Sequence, residues 1–276
     1  MTLIDFFENH NNVTVLTGAG VSTASGIPDY RDENGAWKHN QPMQYQDFIG
    51  SDFSRRRYWA RSAIGRIGFK AASPNKAHTA LASLEALGRV SLLITQNVDQ
   101  LHQRAGSRRV IDLHESLDQV VCIDCCNSVA RDAVQDYLML HNPLLQNLTS
   151  LAAPDGDAQL QHIDFTQIKI PECDSCGGVL KPDVVFYGES VPVARVTSCF
   201  DAINGADAML IAGSSLMVYS GYRFVRRAYE NGIPIVAINR GITRADDILT
   251  LKVEQDCGPV LEQIVKELGD ISVFGT

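Results

Sequence analysis

Short, almost wholly apolar runs recur along the chain at Val13 to Leu16, Val90 to Thr95, Val110 to Leu113, Ala208 to Ala212 and Ile233 to Ile238. Runs of this length without polar alternation predict strands buried on both faces. Between them lie segments with helical periodicity, Lys76 to Leu87 and Ser220 to Asn231, which predict covering helices. The punctuation agrees. Asn75 can cap the helix after Pro74, Gly88 and Gly232 can end two others, and Gly258-Pro259 opens the last. This alternation predicts an α/β fold, a Rossmann-like parallel sheet with helices on both faces.

Two stretches break the cadence, and both read as insertions that build a smaller second lobe. The sheet domain then comprises residues 1–31, 74–114 and 183–276, and the small domain residues 32–73 and 115–182. The first insertion is a helical module, with a helix expected around Phe53 to Phe69. The second begins and ends with a cysteine pair. Between those pairs Val129 to Leu151 has leucine at helical spacing, and Pro154-Asp155-Gly156-Asp157 reads as an exposed turn.

At 276 residues, 45% hydrophobic and 20% charged, the chain has the composition of a globular protein with a sizeable core. Its formal net charge of -8 argues against a broad nucleic-acid footprint. Arg55-Arg56-Arg57 and Arg226-Arg227 read as solvated helix faces. No apolar run approaches the ~20 residues of a membrane span. Met1 to His10 lacks the basic stretch and apolar core of a signal segment. The expectation is a cytoplasmic protein with neither membrane nor nucleic acid as partner.

Four of the seven cysteines form Cys122-x-x-Cys125 and Cys173-x-x-Cys176. Two such knuckles supply the four thiolates of a closed tetrahedral zinc site, with no position left open for catalysis. The metal is therefore expected to be structural. The 47 residues between Cys125 and Cys173, 126 to 172, exceed the usual ribbon spacing, and a helical excursion is expected to fill them. Cys126 reads as a bystander.

Directly after the first strand come Gly18-Ala19-Gly20 and then Ser25-Gly26-Ile27-Pro28-Asp29-Tyr30-Arg31. Two glycines one residue apart after a strand can turn the backbone tightly and offer its amides to a diphosphate. They can equally serve the backbone angles alone. A dehydrogenase fingerprint would need glycine at position 23, where Thr23 stands, so hydride transfer is disfavoured. At the carboxyl end of the second strand, Gln96, Asn97 and Asp99 supply two amides and a carboxylate. These groups suit a ribose and a carboxamide but make no nucleophile with its base. His114 follows the third strand, next to the insertion, where an inter-lobe cleft is expected and an imidazole could act as general base.

Together these residues resemble the sirtuins, the NAD-dependent protein deacylases, from about Val13 to Cys257-Gly258. The hallmarks occur in order: the glycine run, Gln96-Asn97-Val98-Asp99, His114 and the two cysteine pairs. They continue with Lys181-Pro182-Asp183-Val184-Val185-Phe186-Tyr187-Gly188-Glu189, Gly213-Ser214-Ser215-Leu216 and Asn239-Arg240-Gly241. Tyr30 replaces a commoner phenylalanine, and Glu115 stands where the family usually has glycine. The long gap between cysteine pairs and the Gly213 to Phe224 and Thr243 to Asp247 segments look like the branch of the mitochondrial sirtuin with lipoamidase and ADP-ribosyltransferase activities.

The resemblance implies NAD as a consumed substrate and one structural zinc on Cys122, Cys125, Cys173 and Cys176. Gly18, Ala19, Gly20 and Arg31 would hold the diphosphate. Ser214, flanked by Gly213 and Ser215, would receive the adenosine end with Asn239, Arg240 and Gly241, and Cys257 would lie near the adenine. Ile27 and Asp99 would hold nicotinamide, with Asp29 in the same loop, Tyr30 would cover the anomeric carbon, and Gln96 and Asn97 would address the ribose. His114 would act as general base on a ribose hydroxyl while the acyl group passes from lysine to ADP-ribose. The implied substrate is an acylated lysine of a protein. Its peptide would lie extended between Val184, Val185, Phe186, Gly188 and Glu189 on one side and Leu216, Val218 and Tyr219 on the other. Tyr58-x-x-Arg61 resembles the pair by which some sirtuins bind acidic acyl groups, although Tyr58-Trp59 on a helix equally suits packing. Mono-ADP-ribosyl transfer and a non-catalytic, NAD- and zinc-stabilised adaptor are the alternatives.

Overall fold

The computed structural model describes residues 1–38, 41–148, 155–158, 160 and 163–274, the side chains of 271–274 excepted. In chain order the elements begin with α1 (Leu3–Asn9), β1 (Val13–Thr17), α2 (Tyr45–Gly50), α3 (Asp52–Ala71), α4 (Lys76–Ala86) and β2 (Val90–Thr95). Then follow α5 (Leu101–Arg104), β3 (Val110–Asp112), β4 (Glu115–Cys122), β5 (Ser128–Ala130), α6 (Arg131–His141) and β6 (Leu180–Val184). The last are α7 (Val193–Gly205), β7 (Ala208–Ala212), α8 (Tyr219–Glu230), β8 (Ile235–Ile238), β9 (Leu251–Val253) and α9 (Cys257–Phe274). Among the described residues no helix is long and apolar enough to cross a membrane.

The chain divides into two compact units, the first made of Met1–His39, Ser73–Leu113 and Val191–Thr276. Its sheet is wholly parallel, in the order β3-β2-β1-β7-β8-β9. The central strands β1, β7 and β8 are buried at every position, which is why their sequences read as continuous apolar runs. Val13, Val15, Leu210, Ala212, Val236 and Ile238 share one core with Phe6, Phe7, Leu81, Leu84, Leu261 and Ile264 of α1, α4 and α9. Asn75 caps α4 as expected, its side chain accepting from Ala77 N–H, and Gly88 and Gly232 take positive φ beyond their helices.

The second unit comprises Asn40–Ala72 and His114–Ser190. Its sheet has three antiparallel strands in the order β5-β4-β6. Both junctions depart from the expected boundaries. Residues 32–38 stay with the first unit, because Asp32 N–H bonds Ala36 O and Ile242 N–H bonds Glu33 O at 2.8 Å. Residues 183–190 go with the second, since β6 runs through Val184, and His114 joins them as the acceptor of Val185 N–H at 3.0 Å.

The expected exposed turn at Pro154 to Asp157 is a correction. Pro154 lies outside the described residues, but Gly156 and Asp157 are buried against α3. Gly65 makes this possible: a Cβ there would stand 2.3 Å from Gly156 O. Arg61 completes the clamp, with its guanidinium 2.8 Å from Asp157 and its Nε donating to Ala158 O at 2.7 Å. The leucine-rich stretch forms α6 and a turn of 3₁₀ helix at Pro143–Leu145, and its residues 149–151 lie outside the described set.

These contacts bear on the Tyr58-x-x-Arg61 pair. Tyr58 is buried in a cluster with Phe48, Trp59 and Phe186, and Arg61 is engaged by Asp157. The pair is packing and clamp. Burial and neighbouring Asp155 push the Asp157 carboxyl up to about 7. Arg61→Met is expected to destabilise the unit by about 2 kcal/mol at pH 8, because it strands a buried carboxylate, and by less at pH 6, where that carboxylate can protonate. Thermal melts at the two pH values check this. Unchanged melting with an altered acyl preference would instead make Arg61 a specificity residue.

Candidate active site

Strand order reverses between β1 and β7, and in open parallel sheets ligands bind at the carboxyl ends flanking such a reversal. Gly18 and Gly213 follow these two strands directly. A Cβ on Gly18 would lie 2.9 Å from Ser214 Cβ, and one on Gly20 would lie 2.9 Å from Gly213 Cα. The two loops therefore touch backbone to backbone, and Gly20 N–H bonds Gly213 O at 2.9 Å. Glycine at 18 and 20 is thus required by this close approach before any ligand is considered. Gly213 itself needs its positive φ of 59°.

The polar residues gather at the same edge. Gln96 donates to Ser214 Oγ at 2.9 Å and to Thr17 O at 3.2 Å. It also fills the space above Gly221, where a Cβ would stand 2.5 Å from Gln96 Oε1. Asn97 donates to Ser22 Oγ at 3.0 Å, and Ser22 donates to Asp99 at 2.6 Å. Asp99 also accepts from Asn97 Nδ2 at 3.3 Å and from Leu101 N–H at 3.0 Å. Asn97 and Asp99 are accordingly held by one network through Ser22, while Gln96 is held by Ser214 and Thr17.

Two buried histidines stand behind it. Asn75 N–H donates to His78 Nδ1 at 3.2 Å. That nitrogen must be the acceptor, so in the neutral ring Nε2 carries the proton and donates to Ser22 Oγ at 3.4 Å. Ser22 then directs its own proton at Asp99. Beside it, the His102 ring lies 4.8 Å from that of His78, and His102 Nε2 meets Thr17 Oγ1 at 3.0 Å, which in turn meets Thr95 Oγ1 at 2.9 Å. Burial lowers His78 to about 4 and His102 to about 3, so both are neutral near pH 7. The folded values lie below the ordinary histidine value, so the native state binds fewer protons than the unfolded chain in this range. Stability is complete above about pH 6.5 and is lost as pH falls toward 4. Urea unfolding at pH 7 and pH 5 should show the loss, reduced in His102→Gln; an unchanged slope in that variant would exclude this origin.

The loop carrying Ile27 to Arg31 closes on itself within the first unit. Ile27 is buried, Asp29 pairs with Lys38 at 2.6 Å, and Arg31 donates to Gly35 O at 2.7 Å with its guanidinium 3.9 Å above the Trp37 ring. Tyr30 meets the same ring edge-on at 6.1 Å. This loop rests on the Asn239 to Gly241 turn, where a Cβ on Gly241 would stand 2.2 Å from Glu33 O. Asn239 folds its amide onto Arg240 O at 2.7 Å, Arg240 pairs with Asp256 at 2.8 Å, and Ser215 O accepts from Arg244 N–H. Cys257 is buried with its Sγ 3.3 Å from Ile238 O, and burial pushes its thiol up to about 12. Among the residues of the expected peptide groove, Leu216 is buried at a positive φ of 59°, Val218 caps α8 and Tyr219 is exposed. Val184 to Glu189 belong to the second unit, as does His114. After His114, Glu115 takes a φ of 63°, the left-handed conformation that explains the family's usual glycine.

Two amides, a carboxylate, a guanidinium and several hydroxyls at a sheet switch point match a dinucleotide's ribose, carboxamide and diphosphate groups. Sequence alone did not reveal Ser22, His78, His102, Trp37 or Gly221. Ser22, His78 and His102 are joined only by the packing of α4 and α5 against the sheet, Gly221 lies on α8 under Gln96, and Trp37 meets Tyr30 and Arg31 within its own loop.

In the second unit Cys122, Cys125, Cys173 and Cys176 bring their sulfurs within 4.8 Å of one another. Cys122 and Cys176 are 3.6 Å apart and Cys125 and Cys173 3.7 Å, close to the ~3.8 Å edge of a tetrahedron with Zn–S bonds near 2.3 Å. The donor set fits one structural zinc. Each knuckle ends in a left-handed residue, Cys126 at φ 61° and Gly177 at φ 73°. Cys126 therefore has the backbone task of Gly177.

Comparison with known proteins agrees with this geometry. The Sir2 family model matches residues 18–220. NAD-dependent protein deacetylase 2 of Bradyrhizobium diazoefficiens is 56% identical over 260 residues, covering 94% of this chain and 95% of that protein. An NAD-dependent protein deacetylase of Xanthomonas axonopodis pv. citri is 55% identical, covering 94% and 89%. A structure described as Sir2-p53 peptide-NAD+ superposes with a TM-score of 0.78 at 30% identity, covering 98% of this chain and 99% of its own. Another, described as Sir2 bound to acetylated peptide, gives 0.76 at 29%, covering 98% and 99%. The chain belongs to the Sir2 family, the sirtuins.

Proposed function

We propose that the chain is an NAD-dependent protein lysine deacetylase that transfers the acyl group to ADP-ribose and releases nicotinamide. The observation that carries this reading is the gathering of Gln96, Asn97 and Asp99, each held by its own hydrogen bonds, at the switch point of a Sir2-type sheet, in a chain 56% identical to a named deacetylase. NAD supplies an anomeric carbon that the acyl oxygen of the modified lysine attacks as nicotinamide leaves, and a ribose hydroxyl that then takes the acyl carbon, with one water consumed as the lysine amine is released.

Each residue then has a task its chemistry supports. Gly18, Ala19, Gly20 and Arg31 face the diphosphate, and Ser214 with the Asn239 to Gly241 turn takes the adenosine end. Gln96 and Asn97 orient the ribose hydroxyls, Asp99 accepts from the carboxamide beside Ile27, and Tyr30 covers the reacting carbon so that nicotinamide does not re-add. His114 removes the proton from a ribose hydroxyl so that its oxygen can attack the acyl carbon. The peptide binds through its main chain to Val184 to Glu189 and Leu216 to Tyr219, which leaves its sequence loosely specified.

Mass spectrometry of the protein with NAD and an acetyl-lysine peptide tests this. Equal yields of nicotinamide, deacetylated peptide and acetyl-ADP-ribose are expected. Release of nicotinamide with ADP-ribose attached to protein would establish the transferase reading instead, and no nicotinamide with any acyl peptide would refute both.

A further inference from the structure

We propose that Lys181 is a positioning residue that holds the segment Val184 to Glu189 in the shape that receives the substrate peptide. This rests on the proposed role of that segment in peptide binding. Lys181 is a buried cation, 5% exposed, at the second residue of β6. Its ammonium group has three protons and three acceptors: Val184 O at 2.6 Å, Glu189 Oε2 at 3.1 Å and Pro182 O at 3.2 Å. The Phe186 ring lies 4.9 Å from Nζ and covers it.

Glu189 has the complementary task. Its Oε2 also accepts Phe186 N–H at 2.8 Å, and Glu189 N–H returns to Phe186 O at 3.0 Å. Between them Gly188 has a φ of 80°, the value that the third residue of a type II turn needs. The segment is thus a strand followed by a tight turn, pulled together from inside by one ion pair. Outside partners fix its flanks, for Val185 N–H bonds His114 O and Tyr187 O accepts from Tyr45 N–H at 2.8 Å. The resemblance implies Glu189 as a peptide contact, whereas its carboxylate is turned onto Lys181 and the backbone.

A merely structural lysine would lower overall stability and leave substrate affinities alone. A positioning lysine changes one affinity. Lys181→Met should raise KM for the peptide about tenfold, with KM for NAD unmoved and kcat lowered less than about twofold. Hydrogen exchange of residues 184–190 should be faster in this variant without peptide. Because Lys181→Met strands the Glu189 carboxylate, the double variant Lys181→Met/Glu189→Gln should recover part of the lost peptide affinity, a coupling that independent sites do not show. If Lys181→Met fails to fold, Glu189→Gln alone must raise the peptide KM, or the proposal fails. In the wild type, bound acetyl-lysine peptide should slow exchange at 184–190. Absence of that protection refutes the peptide-binding role of the segment. Protection together with an unchanged peptide KM in Lys181→Met refutes the positioning role alone.

Discussion

His114→Ala is expected to lower the rate of peptide deacetylation by about 10²- to 10⁴-fold, the range for removal of a general base, with little change in the affinity for NAD. Asn97 and Asp99 lie in a network fixed through Ser22 and His78. The binding groups should therefore survive the substitution. The backbone at 114 is pinned independently of the imidazole, since its carbonyl accepts Val185 N–H at 3.0 Å. Loss of the ring removes a base and leaves the strand pairing in place. Initial rates by mass spectrometry, with NAD binding by calorimetry, check both parts. His114→Ala with a rate within tenfold of the wild type would remove the histidine from catalysis, and loss of NAD binding with the rate would make it a structural residue.

The sheet was legible because β1, β7 and β8 are buried on both faces and, apart from the threonines Thr14 and Thr17 of β1, carry only apolar residues. Strand β3, with three half-buried residues, was legible from the apolar run Val110 to Leu113, whereas β9 and the small antiparallel sheet escaped. In β4, Asp118 and Gln119 interrupt the apolar positions, so no period stood out. The glycine run was read as a phosphate cradle, and its structural cause is the backbone contact between Gly20 and Gly213, residues far apart in sequence. Asp157 was misread for a related reason. Pro, Asp and Gly together describe a turn, but they do not say that Arg61 and Gly65 will bury it. Local chemistry reveals elements and motifs; the partners that set their environment come from topology.

Cys173→Ala should cost the protein its zinc and the fold of its second unit. Structural zinc contributes apparent binding free energies of about 10–16 kcal/mol, which exceeds the stability of most domains. The ligands sit where that energy matters. Cys122 ends β4 and Cys176 lies four residues before β6, so the metal joins the two strands that pair through Val120, Val121 and Cys122 with Pro182, Lys181 and Leu180. Without it three thiols remain crowded together, and the β4 to β6 junction has only its backbone ladder. The wild type should carry about one zinc per chain by elemental analysis. Cys173→Ala should carry none and show rapid proteolysis within residues 114–190, while the parallel sheet of the first unit remains protected. Cys126→Gly is the control that separates ligand from neighbour. It keeps all four sulfurs and puts glycine in the left-handed backbone, so it should retain zinc and unfold at slightly higher temperature, by about 1 kcal/mol of added stability. A Cys173→Ala protein that is folded throughout and free of metal would show that the thiol cluster is not what holds this unit together.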